Sequence, residues 1–158
     1  MSASTPHAAA SVAAPAPAPA KLDLLELLAA IGAAQWRDFV GAAERHGLTG
    51  MQARVIAQLV VAGPLPMRGL ADRLVCDASN VTGIVDRLEK QDLVHREPSA
   101  TDRRVKNVVL TDKGRETIRR VRAEMQATHG ALDTLDDDDR AALYALLSRL
   151  RPSMEGSA

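Results

Sequence analysis

The sequence has 158 residues, the length of one domain, and its formal net charge at pH 7 is zero. Hydrophobic residues make up 46% of the chain but aromatic residues only 2%, so the core must be built from aliphatic side chains, which suits packed helices. No apolar run approaches membrane-spanning length and the single cysteine, Cys76, cannot form an internal disulfide, so we expect a mainly helical protein of the reducing cytoplasm, with no membrane contact.

The N-terminal third of the chain predicts a tail and two helices. Residues 1–20 alternate Ala and Pro near their end and lack the charged start of a signal peptide, so we expect a disordered tail. Apolar residues then recur at three- and four-residue steps over residues 21–47, as on one face of a long helix. Thr49 and Gln52 have the spacing of a capping box, which predicts that a second helix begins there.

A helix-turn-helix is predicted between residues 63 and 90. Gly and Pro residues break the chain at 63–66, a short helix follows at 67–74, and Asp77 is placed to cap a further helix over residues 78–90. One side of that last helix is aliphatic, and the other is small and polar, which suits the major groove of DNA. The residues predicted to contact DNA are Ser79, Asn80, Thr82, Gly83 and Arg87.

A β wing is predicted directly after the helix-turn-helix. Two short strands rich in Val and Leu, at residues 93–96 and 105–110, are joined by a turn-forming segment. The turn carries Arg103 and Arg104, and arginine suits the narrow, electronegative minor groove. Acidic residues are concentrated elsewhere, at 136–139, so zero net charge hides a locally basic wing and we expect both arginines to contact DNA.

Two more helices are predicted at the C-terminal end. Thr111 is placed to cap the first, whose apolar residues form a coiled-coil-like seam that requires a partner. The seam residues are Ile118, Val121, Met125, Thr128 or His129, and Leu132. The last helix, about residues 136–150, has its Asp run at the positive N-terminal end and stops at Pro152. Its apolar residues, expected to be buried, are Leu143, Leu146, Leu147 and Leu150.

Residues 66–114 closely resemble the MarR family (multiple antibiotic resistance regulators). The most specific part of the resemblance is the sequence Asp-Arg-Arg at 102–104, followed after five residues by Leu-Thr at 110–111. Over about residues 23–150 the resemblance is looser. It implies a mainly α fold with a small β wing, in which a winged helix-turn-helix at 48–111 lies between dimerisation helices at 21–47 and 112–152.

The resemblance also implies roles for individual residues. The family's helix that matches residues 78–90 reads the major groove, and the wing arginine that matches Arg104 enters the minor groove. The aspartate that matches Asp102 is expected to hold that arginine in place. Asp92 is a departure, because the family commonly has Gly there, but Asp tolerates the left-handed conformation better than most residues, so only a small loss of stability is expected.

The implied function is that of a homodimeric, sequence-specific transcriptional regulator that binds a pseudo-palindromic operator in double-stranded DNA. A ligand-responsive repressor of its own or a neighbouring gene is the form we expect. Family members often take small anionic aromatic effectors, for which Trp36, Arg37 and Phe39 offer a pocket; core and dimer packing is the alternative role of these three residues.

Two other functions remain open. A winged helix that binds protein instead of DNA would agree with the zero net charge, and Cys76 would make the regulator redox-responsive, although a structural role in the turn between the two helices is the alternative. An enzyme is not expected, because the sequence offers no nucleophile with a base and no phosphate-binding loop. The spacing of His46, His95 and His129 fits no metal site, and no cofactor is expected.

Overall fold

The computed structural model describes residues 18–128 and 130–150 of the chain. The chain divides into two units, residues 1–34 and residues 35–158. The predicted tail at residues 1–20 lies outside the described residues except for 18–20, which are exposed and not helical. The predictions for His129 and Pro152 also lie outside the described part.

In the first unit the described structure is the N-terminal part of helix α1 (Lys21–Arg45). The long helix predicted there is confirmed, and it ends shortly before Gly47, whose φ of 74° is the left-handed conformation that commonly follows a helix. This unit exposes six large aliphatic side chains: Leu22, Leu24, Leu25, Leu27, Leu28 and Ile31. A single copy of the chain therefore leaves this apolar surface in contact with water.

In the second unit, helix α2 (Gly50–Ala62) begins at the predicted capping box. The amide of Gln52 donates to the Thr49 hydroxyl at 3.2 Å, and the amide of Thr49 donates to the Gln52 side-chain oxygen at 2.8 Å. Two of the amides left over at the start of the helix are thereby satisfied. The predicted inward residues, Val55, Ile56 and Leu59, are all buried.

Helices α3 (Met67–Leu74) and α4 (Ala78–Lys90) have the predicted bounds. Each buries its aliphatic side in the common core: Leu70, Ala71 and Leu74 from α3, and Val81, Ile84, Val85 and Leu88 from α4. Asp77 occupies the N-cap position of α4 as predicted, but its side chain makes no capping hydrogen bond, and it is its carbonyl that accepts from the amides of Asn80 and Val81.

Three antiparallel strands form one sheet in the order β1-β3-β2. Strand β2 (Val94–Pro98) pairs with β3 (Lys106–Leu110) so that Val94 faces Leu110, within two residues of the predicted bounds. Strand β1 (Leu65–Pro66) was not predicted, because two residues are too short to show alternation and one of them is proline. Proline is tolerated there because β1 is an edge strand.

Helix α5 comprises Asp112–Thr128, and Thr111 caps it as predicted. The hydroxyl oxygen of Thr111 accepts a hydrogen bond from the amide of Gly114 at 3.0 Å. The predicted seam along it is wrong in two respects. Ile118 and Val121 are 2% and 0% exposed, because α5 packs them against the core of its own chain. Leu132 lies in a separate 3₁₀ helix (Gly130–Thr134), so no single helix carries the seam.

Helix α6 (Asp137–Leu150) begins at the acidic run, as predicted. The carboxylate of Asp136 accepts from the amide of Asp139 at 2.8 Å, as an N-cap residue does. The predicted burial of its four leucines is wrong for the single chain, because Leu143, Leu146, Leu147 and Leu150 are 37–66% exposed. Periodicity reveals an apolar face but not the molecule that covers it.

Within residues 18–128 and 130–150, two residues other than glycine have positive φ. Asp92, at φ 58°, has the left-handed conformation expected for a residue that stands where the family commonly has Gly. Val75, at φ 54° and ψ 50°, follows α3 in the turn before α4, and its side chain is 88% exposed. A β-branched residue is strained in this conformation and gains little from burial here.

We expect Val75→Asn to stabilise the protein by about 1 kcal/mol, because asparagine tolerates the left-handed conformation that valine resists. Chemical denaturation measures the change. Val61→Asn is the matched control, since Val61 is also exposed but lies within a helix, and its effect should be near zero. Equal effects of the two substitutions would show that Val75 is not strained.

Gly114 lies where α5 passes over the start of the wing. A Cβ atom at this position would be 2.1 Å from the carbonyl oxygen of Leu93, which is backbone and cannot turn aside. We therefore expect Gly114→Ala to lower the free energy of unfolding by about 2–3 kcal/mol through overpacking.

Gly32 in α1 is the control for this substitution, because a Cβ atom added there would have no neighbouring atom within 4 Å. Gly32→Ala should stabilise the helix by about 0.5–1 kcal/mol. Denaturation curves of the two variants should therefore shift in opposite directions, and a neutral Gly114→Ala would contradict the close approach.

Candidate nucleic-acid interface

The exposed side of α4 carries the residues that were predicted to contact DNA. Ser79, Asn80, Thr82 and Arg87 are exposed, and Gly83 is half-buried. The opposite side of the helix is fixed by four buried aliphatic residues, which determine the direction in which the polar side faces. The structure therefore presents all five residues on a surface that a groove can approach.

Two details define the chemistry of this surface. The Thr82 hydroxyl donates to the carbonyl of Ala78 at 2.9 Å, so its hydrogen is already used and its methyl group and oxygen lone pairs remain available. Gly83 lacks a side chain, and its Cβ position would be 3.9 Å from Nη2 of Arg87. A Cβ atom there would make only an ordinary van der Waals contact, so the position of the guanidinium does not depend on the glycine.

The turn between α3 and α4 comprises Val75, Cys76 and Asp77. The amide of Cys76 donates to the carbonyl of Ala71 at 3.2 Å, which closes the end of α3. Cys76 is half-buried and packs against the core. Its predicted alternatives, a structural thiol or a redox sensor, both stay predictions.

The wing turn is organised by short-range hydrogen bonds. The amide of Ser99 donates to the carbonyl of Val105 at 2.8 Å, and the amide of Arg104 donates to Oδ1 of Asp102 at 2.9 Å. Asp102 thus bonds the main chain at Arg104. Both Arg103 and Arg104 are exposed, so the turn holds the backbone in place while the two guanidinium groups face solvent.

Arg96 links the wing to α4, a contact that the sequence reasoning did not identify. Its guanidinium donates to Asp86 at 2.6 Å through Nη2 and to Glu89 at 2.7 Å through Nη1. Its amide donates to the other oxygen of Glu89 at 3.2 Å. The sequence signal was two carboxylates three residues apart on the helix, followed by an arginine on the next strand.

The residues predicted to line an effector pocket lie at the C-terminal part of α1. The rings of Trp36 and Phe39 are 5.6 Å apart between centroids and inclined by 32°, and the guanidinium of Arg54 lies 5.8 Å from the Trp36 centroid. Arg37 is exposed. Phe39 packs against the core, so the predicted packing role fits this residue, whereas Trp36 is 39% exposed.

A cavity of about 270 Å³ opens near these residues, but Trp36, Arg37 and Phe39 do not line it. Its walls come from α1, α5 and the 3₁₀ helix. The lining residues are Gln35, Met125, Gln126, Leu132 and Asp133. Amide, thioether and carboxylate groups therefore face a half-open space.

Ion pairs connect the C-terminal end of α1 to α5. Glu124 accepts hydrogen bonds from Nε of Arg45 and, at 3.0 Å, bonds Nε2 of His46. The hydrogen bond from Arg45 lowers the pKa of Glu124 below its usual value, so the carboxylate is ionised at neutral pH. This contact lies away from α4 and the wing and serves the packing of the unit.

Comparison with known proteins shows where this fold occurs. A sequence model described as MarR family matches residues 46–105. The HTH-type transcriptional repressor MdtR of Bacillus subtilis is 39% identical over 71 residues, which are 45% of this chain and 46% of MdtR. The chain thus spans about half the length of that relative. The uncharacterized HTH-type transcriptional regulator YfiV of the same organism is 31% identical over 108 residues, 67% of each chain.

Solved structures agree over most of the chain. A mutant of MarR from E. coli, complexed with operator DNA, is 25% identical with a TM-score of 0.65, covering 83% of this chain and 95% of that one. CouR from Rhodococcus jostii RHA1, bound to p-coumaroyl-CoA, is 26% identical with a TM-score of 0.68, covering 85% and 96%. The order of helices and strands, the family match and the similarity to YfiV together show that this chain belongs to the MarR family of DNA-binding transcriptional regulators, which are not enzymes.

Proposed function

We propose that the chain is a sequence-specific, homodimeric regulator that binds double-stranded DNA through α4 and the wing. The observation that supports this most directly is the pairing of an exposed, small-polar face on α4 with a wing turn that exposes Arg103 and Arg104. The small side chains allow a helix to approach base edges, and arginine fits the minor groove. Asn80 has the amide that can pair with adenine, and Arg87 can reach guanine or phosphate.

The homodimer is supported by apolar surface that a single chain leaves exposed. In α6, the side chains of Leu146, Leu150 and Tyr144 are 55%, 66% and 76% exposed. The N-terminal part of α1 exposes a further aliphatic strip. Exposed apolar patches of this kind mark interaction surfaces. A second copy is the occupant we propose, because a two-fold dimer matches a pseudo-palindromic operator with half-sites about one helical turn apart.

Regulation by a small molecule is the third part of the proposal. Trp36 with Arg54 and the nearby Arg37 offer aromatic and cationic groups to an anionic aromatic effector, and CouR is a family member whose structure holds p-coumaroyl-CoA. Such a ligand would act by favouring one spacing of the two recognition helices. We further propose a repressor, as MdtR is, that acts in the cytoplasm. In the described residues no helix is long and apolar enough to cross a membrane.

The DNA contacts are tested with duplexes recovered by selecting genomic fragments on the purified protein. Arg104→Ala should weaken binding to all sequences and make the dependence of log K on log salt shallower by about one unit. Asn80→Ala should instead change the preferred base at one position, with a loss of about 1–3 kcal/mol in discrimination.

Arg119→Ala is the control, because Arg119 is exposed on α5 and bonds Glu116 of the same helix. It should bind as the parent does. If neither Arg104→Ala nor Asn80→Ala affects binding, the assigned contacts are wrong. Failure of the parent protein to enrich any duplex would favour the alternative, a winged helix that binds protein.

The dimer is tested by Leu146→Glu, which places a charge on the exposed apolar face of α6. We expect sedimentation equilibrium to show a dimer for the parent and a monomer for the variant, because an uncompensated carboxylate is costly at an apolar interface. Val61→Glu, which charges an exposed site on α2, should leave the dimer intact. A dimer of unchanged stability in Leu146→Glu would exclude this face as the interface.

A further inference from the structure

Arg96 makes the most extensive side-chain contact between the wing and the recognition helix α4 that the described residues show. Three hydrogen bonds, of 2.6, 2.7 and 3.2 Å, connect it to carboxylates seven and ten residues earlier in the chain. Its side chain is only 23% exposed. Partial burial strengthens such charged hydrogen bonds and fixes their geometry better than on an open surface.

Exposed arginines on α5 provide the contrast. Arg119 and Arg120 bond Glu116 within a single helix, so those pairs cannot set the position of one element relative to another. Arg96 lies on β2 and both of its partners lie on α4. Of these three arginines, Arg96 alone bonds a different element from its own, so its contact can help to set the angle between the helix and the wing.

Asp86 also lies on the side of α4 that faces DNA in the proposed function. It follows Thr82 and Gly83 by four and three residues, which places all three on one face of the helix. Its carboxylate is half-exposed. Left without a cation, this carboxylate would repel the phosphates that Arg87 and Lys90 on the same helix would attract.

We propose that Arg96 is a positioning residue for DNA recognition: by bonding Asp86 and Glu89 it fixes the wing relative to α4 and neutralises the acidic side chains of the recognition helix. This proposal rests on the proposed function, since it concerns how the two DNA-reading elements are held at one spacing. Arg96 itself need not touch DNA. Its effect is transmitted through the orientation of the wing arginines and through the charge of α4.

The test compares Arg96→Gln with the parent on a duplex selected by the parent protein. We expect operator affinity to fall about tenfold or more, because two carboxylates then face the phosphates. At saturating protein, hydroxyl-radical protection of the minor groove by the wing should be lost, while protection of guanine N7 in the major groove remains. Arg96→Lys, which keeps the charge, should recover part of the affinity.

Arg119→Gln is the matched control and should leave affinity and both footprints unchanged. Unaltered affinity and wing protection in Arg96→Gln would overturn the proposal. The proposed function fails separately, if the parent selects no duplex. If the parent binds and Arg104→Ala weakens binding while Arg96→Gln does not, only the inference about Arg96 fails.

A second variant keeps the proposal testable should Arg96→Gln not fold. The double substitution Asp86→Asn with Glu89→Gln leaves Arg96 in place and removes two negative charges, which by charge alone should tighten binding. If Arg96 positions the wing, minor-groove protection is nevertheless lost. Tighter binding with an intact wing footprint would overturn the positioning role.

Discussion

Three consecutive carbonyl groups hold together the point where α4 ends, the wing begins and α5 starts. The carbonyl of Gln91 accepts from Nζ of Lys113 at 2.8 Å, and that of Asp92 accepts from the Thr111 hydroxyl at 2.8 Å. The carbonyl of Leu93 accepts from the amide of Thr111 at 3.2 Å. Because Gly114 crosses directly over Leu93, the start of the wing and the start of α5 are in backbone contact.

This junction connects the start of α5 to the two elements of the candidate nucleic-acid interface, α4 and the wing. The left-handed conformation of Asp92 turns the chain from α4 into the wing, and Leu93, which follows it, is buried in the core, as is Leu110 at the end of β3. The first turn of α5 is bonded to that same turn. A displacement of α5 at its start would therefore move both α4 and the wing.

The sequence was sufficient for the elements whose boundaries depend on local chemistry. The capping box at Thr49 and the turn before α4 placed α2, α3 and α4 correctly, because caps and breaks act within a few residues. The seam on α5 was assigned to a partner, yet Ile118 and Val121 are buried in their own chain. Helical periodicity has the same appearance whether the covering surface is internal or external, so only tertiary packing separates the two cases.

The exposure of the candidate site residues could be predicted from the sequence, but the hydrogen bonds of Arg96 could not. The exposed face of α4 and the wing arginines follow from residue type and spacing, whereas the bonds of Arg96 depend on how β2 passes α4, which no local pattern records. The zero net charge of the chain likewise does not show where the charges lie. Several carboxylates are bonded to neighbouring arginines away from the wing turn. Glu116 is one of them: hydrogen bonds from Arg120 and Arg119 lower its pKa, so it is ionised and offsets the charge of arginines that lie on α5 and not on the wing.

The edges of the sheet are poorly suited to pairing with the sheet of another copy of the chain. Its central strand β3 is paired on both sides, so only β1 and β2 present open edges. Each of these edge strands ends in a proline, Pro66 and Pro98, and β1 has only two residues. Proline lacks the amide hydrogen that strand pairing requires, and short edges are poor templates. The wing is thereby protected from joining edge to edge with another wing.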